Sequence, residues 1–252
     1  MFTILKVVVY IFGIDFLART DASVWLMYVA AFTLLSSSII ALQKDNLKAR
    51  LAYSTISQLA YIVLGAALAT DSAILGGGLH IAMHAIGKIT LFFCAGAIYV
   101  ALHKKNISTM NGIGRKMPFT MSAFFIGSLC IIGVPPMGGS WSKWYLAMGA
   151  IDANQLLFVV VLMISSLLSI AYLMPVVVKA FFFEPSPDEH HDDHHDDHHH
   201  AEPSSKEGFF DQIQEAPLFC VVPLCLTAMG CIGMFFWAPH VYNLIESITK
   251  VS

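Results

Sequence analysis

The sequence has 252 residues, of which 57% are hydrophobic and 12% are charged, and its mean hydropathy is +0.69. A soluble domain of this length needs far more polar surface, so the composition excludes a water-soluble fold and indicates an integral membrane protein. The net charge of −3 is unevenly distributed, because residues 184–215 hold eleven acids and one lysine. The remaining chain is basic, and its bases lie mostly in short loops, which indicates membrane topology rather than nucleic-acid binding.

Seven hydrophobic segments follow one another along the chain. Several of them contain charge-free runs longer than the ~20 residues that cross a bilayer core. Each segment is expected to be helical, because lipid offers no hydrogen-bond partner to free backbone groups. The sequence therefore predicts an all-α, polytopic membrane protein with about seven transmembrane helices. The segments cover about residues 2–18, 23–42, 47–69, 73–102, 119–135, 138–183 and 217–237.

The sixth segment is too long for a single crossing. It begins at Gly138–Gly139 and contains the more polar stretch Ile151-Asp152-Ala153-Asn154. We therefore predict one interrupted helix, with a short piece near 138–150 and a longer piece from about 155. Irregular backbone at membrane depth is stable only where it is buried in protein or lines a polar cavity. Such helices frequently mark the ion site of a transporter.

Basic residues in alternate loops predict the orientation of the chain. The loops after the second and fourth segments are rich in lysine and arginine, whereas the loops on the other side contain only Arg19. The positive-inside rule then places the N-terminus in the cytoplasm and the C-terminus outside. The 184–215 loop returns to the cytoplasmic side.

This loop separates the transmembrane part at 1–183 from a last helix and tail at 216–252, and it begins EPSPDEHHDDHHDDHHHAEP. Its composition predicts a solvated, disordered connector, because nothing in it can form a core. The alternative is weak binding of Zn²⁺ or Ni²⁺, or proton buffering, by its imidazole groups. The weak candidates for metal ligands are His190, His191, His194, His195, His198 and His199.

The fourth segment contains three ionisable residues, His80, His84 and Lys88, at positions i, i+4 and i+8. This spacing puts them on one stripe of a helix, with ~6 Å between neighbours along the axis. A charge at mid-bilayer costs roughly 2.5–3.5 kcal/mol, so such groups are candidates for function. With bridging water, the stripe can pass protons. A single buried histidine is more often a packing residue. Three ionisable groups on one stripe of a helix fit that interpretation poorly.

Two further lysines have two interpretations each. Lys143 lies beside the predicted interruption, but between Trp141 and Trp144 it also fits a lysine that reaches the membrane interface. Lys48 begins the third segment and by itself fits a positive-inside lysine. It precedes a polar face formed by Tyr53, Ser54, Ser57 and Gln58.

No cofactor is expected. The five cysteines are scattered through apolar runs without a CxxC pair, which argues against an iron–sulfur or zinc cluster. The sequence has no dinucleotide fingerprint either. We therefore expect a transporter rather than an enzyme by itself.

Three blocks occur in a fixed order: DNLKARLAYSTISQLAYIVLG, HIAMHAIGKITLFFCAG and GSLCIIGVPPMGGSWSKWYLAMGA. Together they resemble the antiporter-like subunits of complex I and of Mrp cation/proton antiporters, over about residues 2–183. The forms FTILKVVVYIFGID and PPMGGSWSKW look closest to the D subunit of the Mrp antiporters. The resemblance implies a fold of two inverted five-helix repeats, of which this sequence carries the second.

The resemblance also implies a proton relay along the membrane midplane. It places Lys48 in the centre of the half-channel, His80 and His84 in the histidine relay and Lys88 one turn later. Lys143 falls on the lysine of the second broken helix, an exit or terminal proton site. The implied function is that of a subunit of a Na⁺/proton antiporter, or of a related respiratory complex, in a bacterial inner membrane.

The family's first repeat is absent from the sequence, so we expect a partner chain that supplies it. The other expected partners are further subunits of a membrane complex, H⁺, and Na⁺ or another monovalent cation. Two alternatives stay open. One is a non-conducting structural or assembly half-subunit of a complex I-like NADH dehydrogenase. The other is a divalent-metal transporter, which the deep lysines disfavour because they would repel a dication.

Overall fold

The structure is a computed structural model that describes residues 2–13, 22–184 and 214–249. The described part is almost entirely helical and contains no β-strand. Helix α1 (Phe2–Lys6) continues as a π-helical segment, Val7–Phe12, and a short 3₁₀ helix, Ile107–Thr109, precedes α5. The other helices are α2 (Ala22–Gln43), α3 (Leu47–Leu68), α4 (Asp71–Leu102), α5 (Ile113–Lys116), α6 (Pro118–Ile132), α7 (Gly139–Asp152), α8 (Leu156–Phe182) and α9 (Leu218–Thr249).

Five helices of the described part are long and apolar enough to cross a membrane: α2, α3, α4, α8 and α9. Large apolar side chains cover the outside of the bundle. Trp25, Phe32 and Phe219 are 76%, 74% and 94% exposed, respectively. A surface of this kind is unstable in water but matches the hydrocarbon of a bilayer. The predicted all-α, polytopic membrane fold is confirmed.

The connection between α3 and α4 is a tight turn that local chemistry supports. Ala69 ends α3 in the left-handed conformation, with φ of 49°. The Thr70 side chain then caps α4 by accepting a hydrogen bond from Ala73 N at 3.3 Å. Asn46 caps the start of α3 in the same way, accepting from Ala49 N at 3.1 Å. These caps fix α3 and α4 as antiparallel neighbours.

Helices α6 and α7 together form one broken crossing that runs antiparallel to α4. A Cβ atom on Gly127 of α6 would lie 3.2 Å from Leu91, and one on Gly149 of α7 would clash with Ala73. Between the two helices, residues 133–138 leave the helical path beside Met83, near the middle of α4. The break therefore lies at mid-depth of the bundle.

The predicted interruption is found, since α7 ends at Asp152 and α8 begins at Leu156, but it does not lie at membrane depth. The stretch from Ile151 to Asn154 does end a helix, but Asp152 accepts a hydrogen bond from Ser72 at 2.7 Å, at the very start of α4. It is thus a turn between α7 and α8 at the end of the bundle. The break at membrane depth lies earlier, where Gly133 takes φ of 85° and Pro135–Pro136 supply no N–H groups to continue a helix.

Three connections meet at one end of the bundle. Asn46 pairs with Asn106, Gly112 N donates to Lys179 O, and Gln214 N donates to Lys116 O. We call this the basic end, defined by Lys44, Lys48, Lys104, Lys105 and Lys116. The opposite end holds the turns at residues 69–70 and 153–155. This arrangement agrees with the predicted alternation of loops.

The His/Asp-rich loop falls outside the described residues, which resume at Gln214. The six candidate metal ligands from His190 to His199 and the predicted disorder of the loop therefore stay predictions. At the point where the chain resumes, the Glu215 carboxylate accepts hydrogen bonds from Phe119 N and Thr120 N, at 2.7 and 3.2 Å. It caps the start of α6 and ties α9 to that helix.

Candidate functional site

A row of basic side chains lies inside the bundle along α4. His80, His84 and Lys88 are 3%, 7% and 5% exposed, respectively. Their spacing of four residues keeps all three on the face of α4 that packs against α3 and α7, as the helical periodicity predicts. Buried ionisable groups are costly in an apolar bundle unless other polar groups meet them, so their partners decide what the row can do.

Lys88 is held by two neutral oxygens of α3. Its Nζ donates to Leu51 O at 3.1 Å and to Ser54 Oγ at 2.7 Å. Among the described residues, no carboxylate takes part in this contact. Dipoles of this kind can hold an ammonium group without neutralising it, and they leave the proton free to be transferred.

The two histidines form a stack with Tyr61 of α3. The rings of Tyr61 and His80 are 5.3 Å apart, and those of His80 and His84 are 5.9 Å apart. His80 Nδ1 lies 3.0 Å from Ser142 Oγ, and that hydroxyl donates to Gly139 O at 3.0 Å. When the hydroxyl proton goes to the carbonyl, Nδ1 of neutral His80 carries the hydrogen and Nε2 is its basic nitrogen.

Two buried ring nitrogens beside the row have no hydrogen-bond partner among the described residues. They are His80 Nε2 and His84 Nδ1. Buried polar atoms without a partner are rare in stable proteins and usually meet an ordered water or a ligand. The neighbourhood of the two histidines is therefore the part of the site most suited to hold water.

Lys143 of α7 completes the row at the helix break. Its Nζ donates to Ile132 O at 2.9 Å and to Ser166 Oγ of α8 at 3.1 Å, and it lies 5.1 Å from the centre of the Tyr61 ring. Ile132 is the last residue of α6, so its carbonyl has no helical N–H partner and faces the lysine instead. The amine points inward, and the interpretation of Lys143 as an interfacial lysine is wrong.

Within the described residues, Lys48 lies apart from this row. It is the second residue of α3, its side chain is exposed, and its Nζ lies 4.9 Å from the centre of the Tyr99 ring at the basic end. The place in the centre of a half-channel that the resemblance implies stays a prediction. Lys88 contacts this helix one turn deeper, at Leu51 and Ser54.

Two groups of site residues were missed in the sequence. Tyr61 links Lys143 to His80, although a tyrosine in an apolar run is usually a packing residue. Helix α8 carries a polar stripe at Ser165, Ser169 and Tyr172, all three with no exposed surface. Its spacing of four and three residues in an otherwise apolar segment was the available signal. On α3, three residues of the predicted polar face are buried inside the bundle, namely Ser54, Ser57 and Gln58.

The fold and the site define a polytopic helical membrane protein with a row of buried basic side chains beside a broken helix. Residues 1–169 match the family described as NADH:quinone oxidoreductase/Mrp antiporter, transmembrane, and the chain belongs to this family. The expected family is confirmed.

Relatives of known name come from several membrane complexes. The chain is 42% identical over 154 residues to NADH-quinone oxidoreductase subunit N of Desulforudis audaxviator, which covers 61% of this chain and 31% of that protein. It is 33% identical over 160 residues to hydrogenase-4 component B of Escherichia coli, covering 58% and 23%. The chain thus spans a third or less of these relatives.

Solved structures share the fold. A chain in the Mrp complex from Dietzia sp. DQ12-45-1b superposes with a TM-score of 0.77 at 21% identity, over 93% of this chain and 48% of that chain. A chain of respiratory complex I from Thermus thermophilus with bound NADH gives 0.77 at 19% identity, over 98% and 49%. At these identities the likeness is one of fold alone.

Proposed function

We propose that the chain is a proton-translocating subunit of an antiporter-like membrane complex. The observation that carries this proposal is the continuous row Lys143, Tyr61, His80, His84 and Lys88. It has a lysine at each end, held by neutral oxygens, and two histidines between. Membership of a family named for NADH:quinone oxidoreductase and the Mrp antiporter supports the same conclusion.

In this mechanism, protons move between the two lysines through the histidines and intervening water. His80 Nε2 and His84 Nδ1 are buried ring nitrogens that form no hydrogen bond with any described residue. A proton on one lysine raises the electrostatic cost of a proton on the next basic group, since neighbouring like charges repel strongly at low dielectric. Protonation at one end therefore favours release at the other. The Tyr61 ring contacts both Lys143 and His80 and keeps the two side chains in position.

The proposal extends to the coupled ion and the partners. Countermovement of Na⁺ or another monovalent cation would balance the proton charge, and further subunits of the membrane complex would complete the path. The positive-inside rule supports a cytoplasmic basic end in a bacterial inner membrane. The likeness to the D subunit of Mrp antiporters stays a prediction.

The site fits a divalent-metal transporter poorly. Within the described residues, no group of three His, Cys, Asp or Glu side chains comes together to hold a metal ion. The neighbours of the histidine pair are Lys88 and Lys143, whose charge opposes a dication. A structural, non-conducting subunit differs from the proposal in one measurable property, the dependence of proton flux on Lys88.

The test is Lys88→Ala in inverted membrane vesicles from cells that produce the full-length protein in its native complex. Exchange driven by ΔpH is followed with a fluorescent pH indicator. We expect exchange to be lost, because the variant removes the proton carrier at one end of the row. Lys105→Ala, an exposed lysine at the basic end, is the matched control and should exchange like wild type. If the Lys88→Ala variant is present at the wild-type level and exchanges at the wild-type rate, the proposal is wrong.

A further inference from the structure

A chain of three buried hydroxyl groups leads away from Lys88. Ser54 Oγ lies 2.8 Å from Tyr172 Oη, and Tyr172 Oη lies 3.1 Å from Ser169 Oγ. Ser169 Oγ donates to Ser165 O at 2.9 Å. None of the three hydroxyl residues has exposed surface. The chain thus connects the amine of Lys88 on α4 to the backbone of α8 through side chains alone.

The directions of these hydrogen bonds follow from the lysine end when Lys88 is protonated. Each hydroxyl has one proton to donate. An ammonium group can only donate, so Ser54 accepts from Lys88 and its own proton is available to Tyr172. Tyr172 can then donate to Ser169, whose proton goes to Ser165 O. In this arrangement the Ser54 oxygen keeps its lone pairs toward Lys88 Nζ, which donates to it at 2.7 Å.

This single direction orients the dipoles of all three hydroxyls to stabilise a positive charge on Lys88, and aligned hydrogen bonds reinforce one another in a low-dielectric interior. The Tyr172 hydroxyl also interacts with the Gln58 side chain.

We propose that Tyr172 is a positioning residue that sets the proton affinity of Lys88 through Ser54. This inference rests on the proposed function. Arg50 holds the tyrosine segment in place, since its guanidinium donates to Tyr172 O at 3.0 Å and is itself buried.

Other titratable groups on the elements that pack against α4 are known from the sequence. His84 and Cys94 share α4 with Lys88, Arg50 and Tyr61 lie on α3, Cys130 on α6, Lys143 on α7, and Cys231 on α9. Of these, Arg50 carries a permanent charge, and its three described hydrogen bonds go to backbone carbonyls. None of these groups contacts Ser54 in the structure. The effect of Tyr172 on Lys88 is therefore separable from theirs.

The test compares the pH dependence of ΔpH-driven exchange in Tyr172→Phe and wild type, in vesicles that carry the native complex. Phenylalanine keeps the ring in its place and removes the hydroxyl that orients Ser54. Lys88 then holds its proton less firmly, so we expect the profile to move to lower pH by about half a unit. Tyr99→Phe, which removes a phenol hydroxyl at the basic end of α4, is the matched control and should leave the profile unchanged.

A second variant covers the case in which Tyr172→Phe fails to assemble. Ser169→Ala leaves the tyrosine in place but removes its acceptor, and a smaller shift in the same direction is expected. A profile that superposes on wild type, or one that moves to higher pH, would overturn the role of Tyr172 while Lys88→Ala still abolishes exchange. If Lys88→Ala itself exchanges normally, the proposed function fails, and this inference fails with it.

Discussion

At the scale of single residues, the two lysines at the ends of the row are held alike. Lys88 and Lys143 each donate to one backbone carbonyl and one serine hydroxyl. Neutral acceptors stabilise an ammonium group less than a carboxylate would, which suits a site that must release as well as bind a proton. Removing one acceptor should therefore lower the stability of the protein and slow transport.

Ser54→Ala leaves buried Lys88 with one acceptor fewer. A hydrogen bond to a charged group contributes about 1.5–3 kcal/mol, so we expect a lower midpoint of thermal unfolding in detergent and slower exchange. Ser128→Ala is the matched control, because the Ser128 hydroxyl is equally buried but has no hydrogen-bond partner among the described residues. If the two variants lose the same stability and activity, the Lys88 contact contributes nothing.

The sequence predicted part of this site. The spacing of His80, His84 and Lys88 decides which face of a helix they share, and the structure places them together. A motif does not report depth, however, and among the described residues Lys48 lies apart from the row, at the start of a helix. Tyr61 was missed because nothing in the sequence shows that its ring lies between a histidine and a lysine from two other helices.

At the scale of elements, the broken crossing formed by α6 and α7 is the feature that carries Lys143. The sequence placed a boundary between two hydrophobic segments at residues 135–138, but it assigned the interrupted helix to the stretch from Ile151 to Asn154. Proline chemistry decides the outcome: without N–H groups, residues 135–136 cannot continue α6. The free carbonyl at Ile132 is the direct result, and it becomes a ligand of Lys143.

The close contact between α4 and α7 holds this crossing in place. A Cβ atom on Gly76 would lie 2.6 Å from Leu146 N, so Gly76→Ala forces the helices apart. Overpacking of this kind costs typically 1–3 kcal/mol, and we expect a lower thermal midpoint and reduced exchange. Gly96→Ala on the same helix meets no atom within 4 Å and should be neutral or slightly stabilising. Equal midpoints for the two variants would rule out a close α4–α7 contact.

At the scale of the whole molecule, the bundle has one basic end and one end that lacks these lysines. The row of the candidate site lies between them, in the middle of α4 and at the break between α6 and α7. The topology of the loops was predictable from charge alone, because lysine and arginine cluster in alternate connections. The orientation in the membrane is a prediction that labelling can check.

Lys105→Cys at the basic end and Asp152→Cys at the opposite end report the orientation. In inverted vesicles, the cytoplasmic side faces the medium. A membrane-impermeant maleimide should therefore label Lys105→Cys and leave Asp152→Cys unlabelled, with the wild-type chain as the control for its native cysteines. The reverse pattern would show that the basic end lies outside the cell.

The central claim is that protons pass along a row with a required lysine at each end. The measurement that tests it most directly is ΔpH-driven exchange in Lys143→Ala beside Lys88→Ala, at matched protein levels in vesicles that carry the native complex. The two lysines contact different helices, and the account predicts that either substitution alone abolishes exchange while Lys105→Ala retains it. Exchange at the wild-type rate in Lys143→Ala would contradict the account, because the row would then not need its second end.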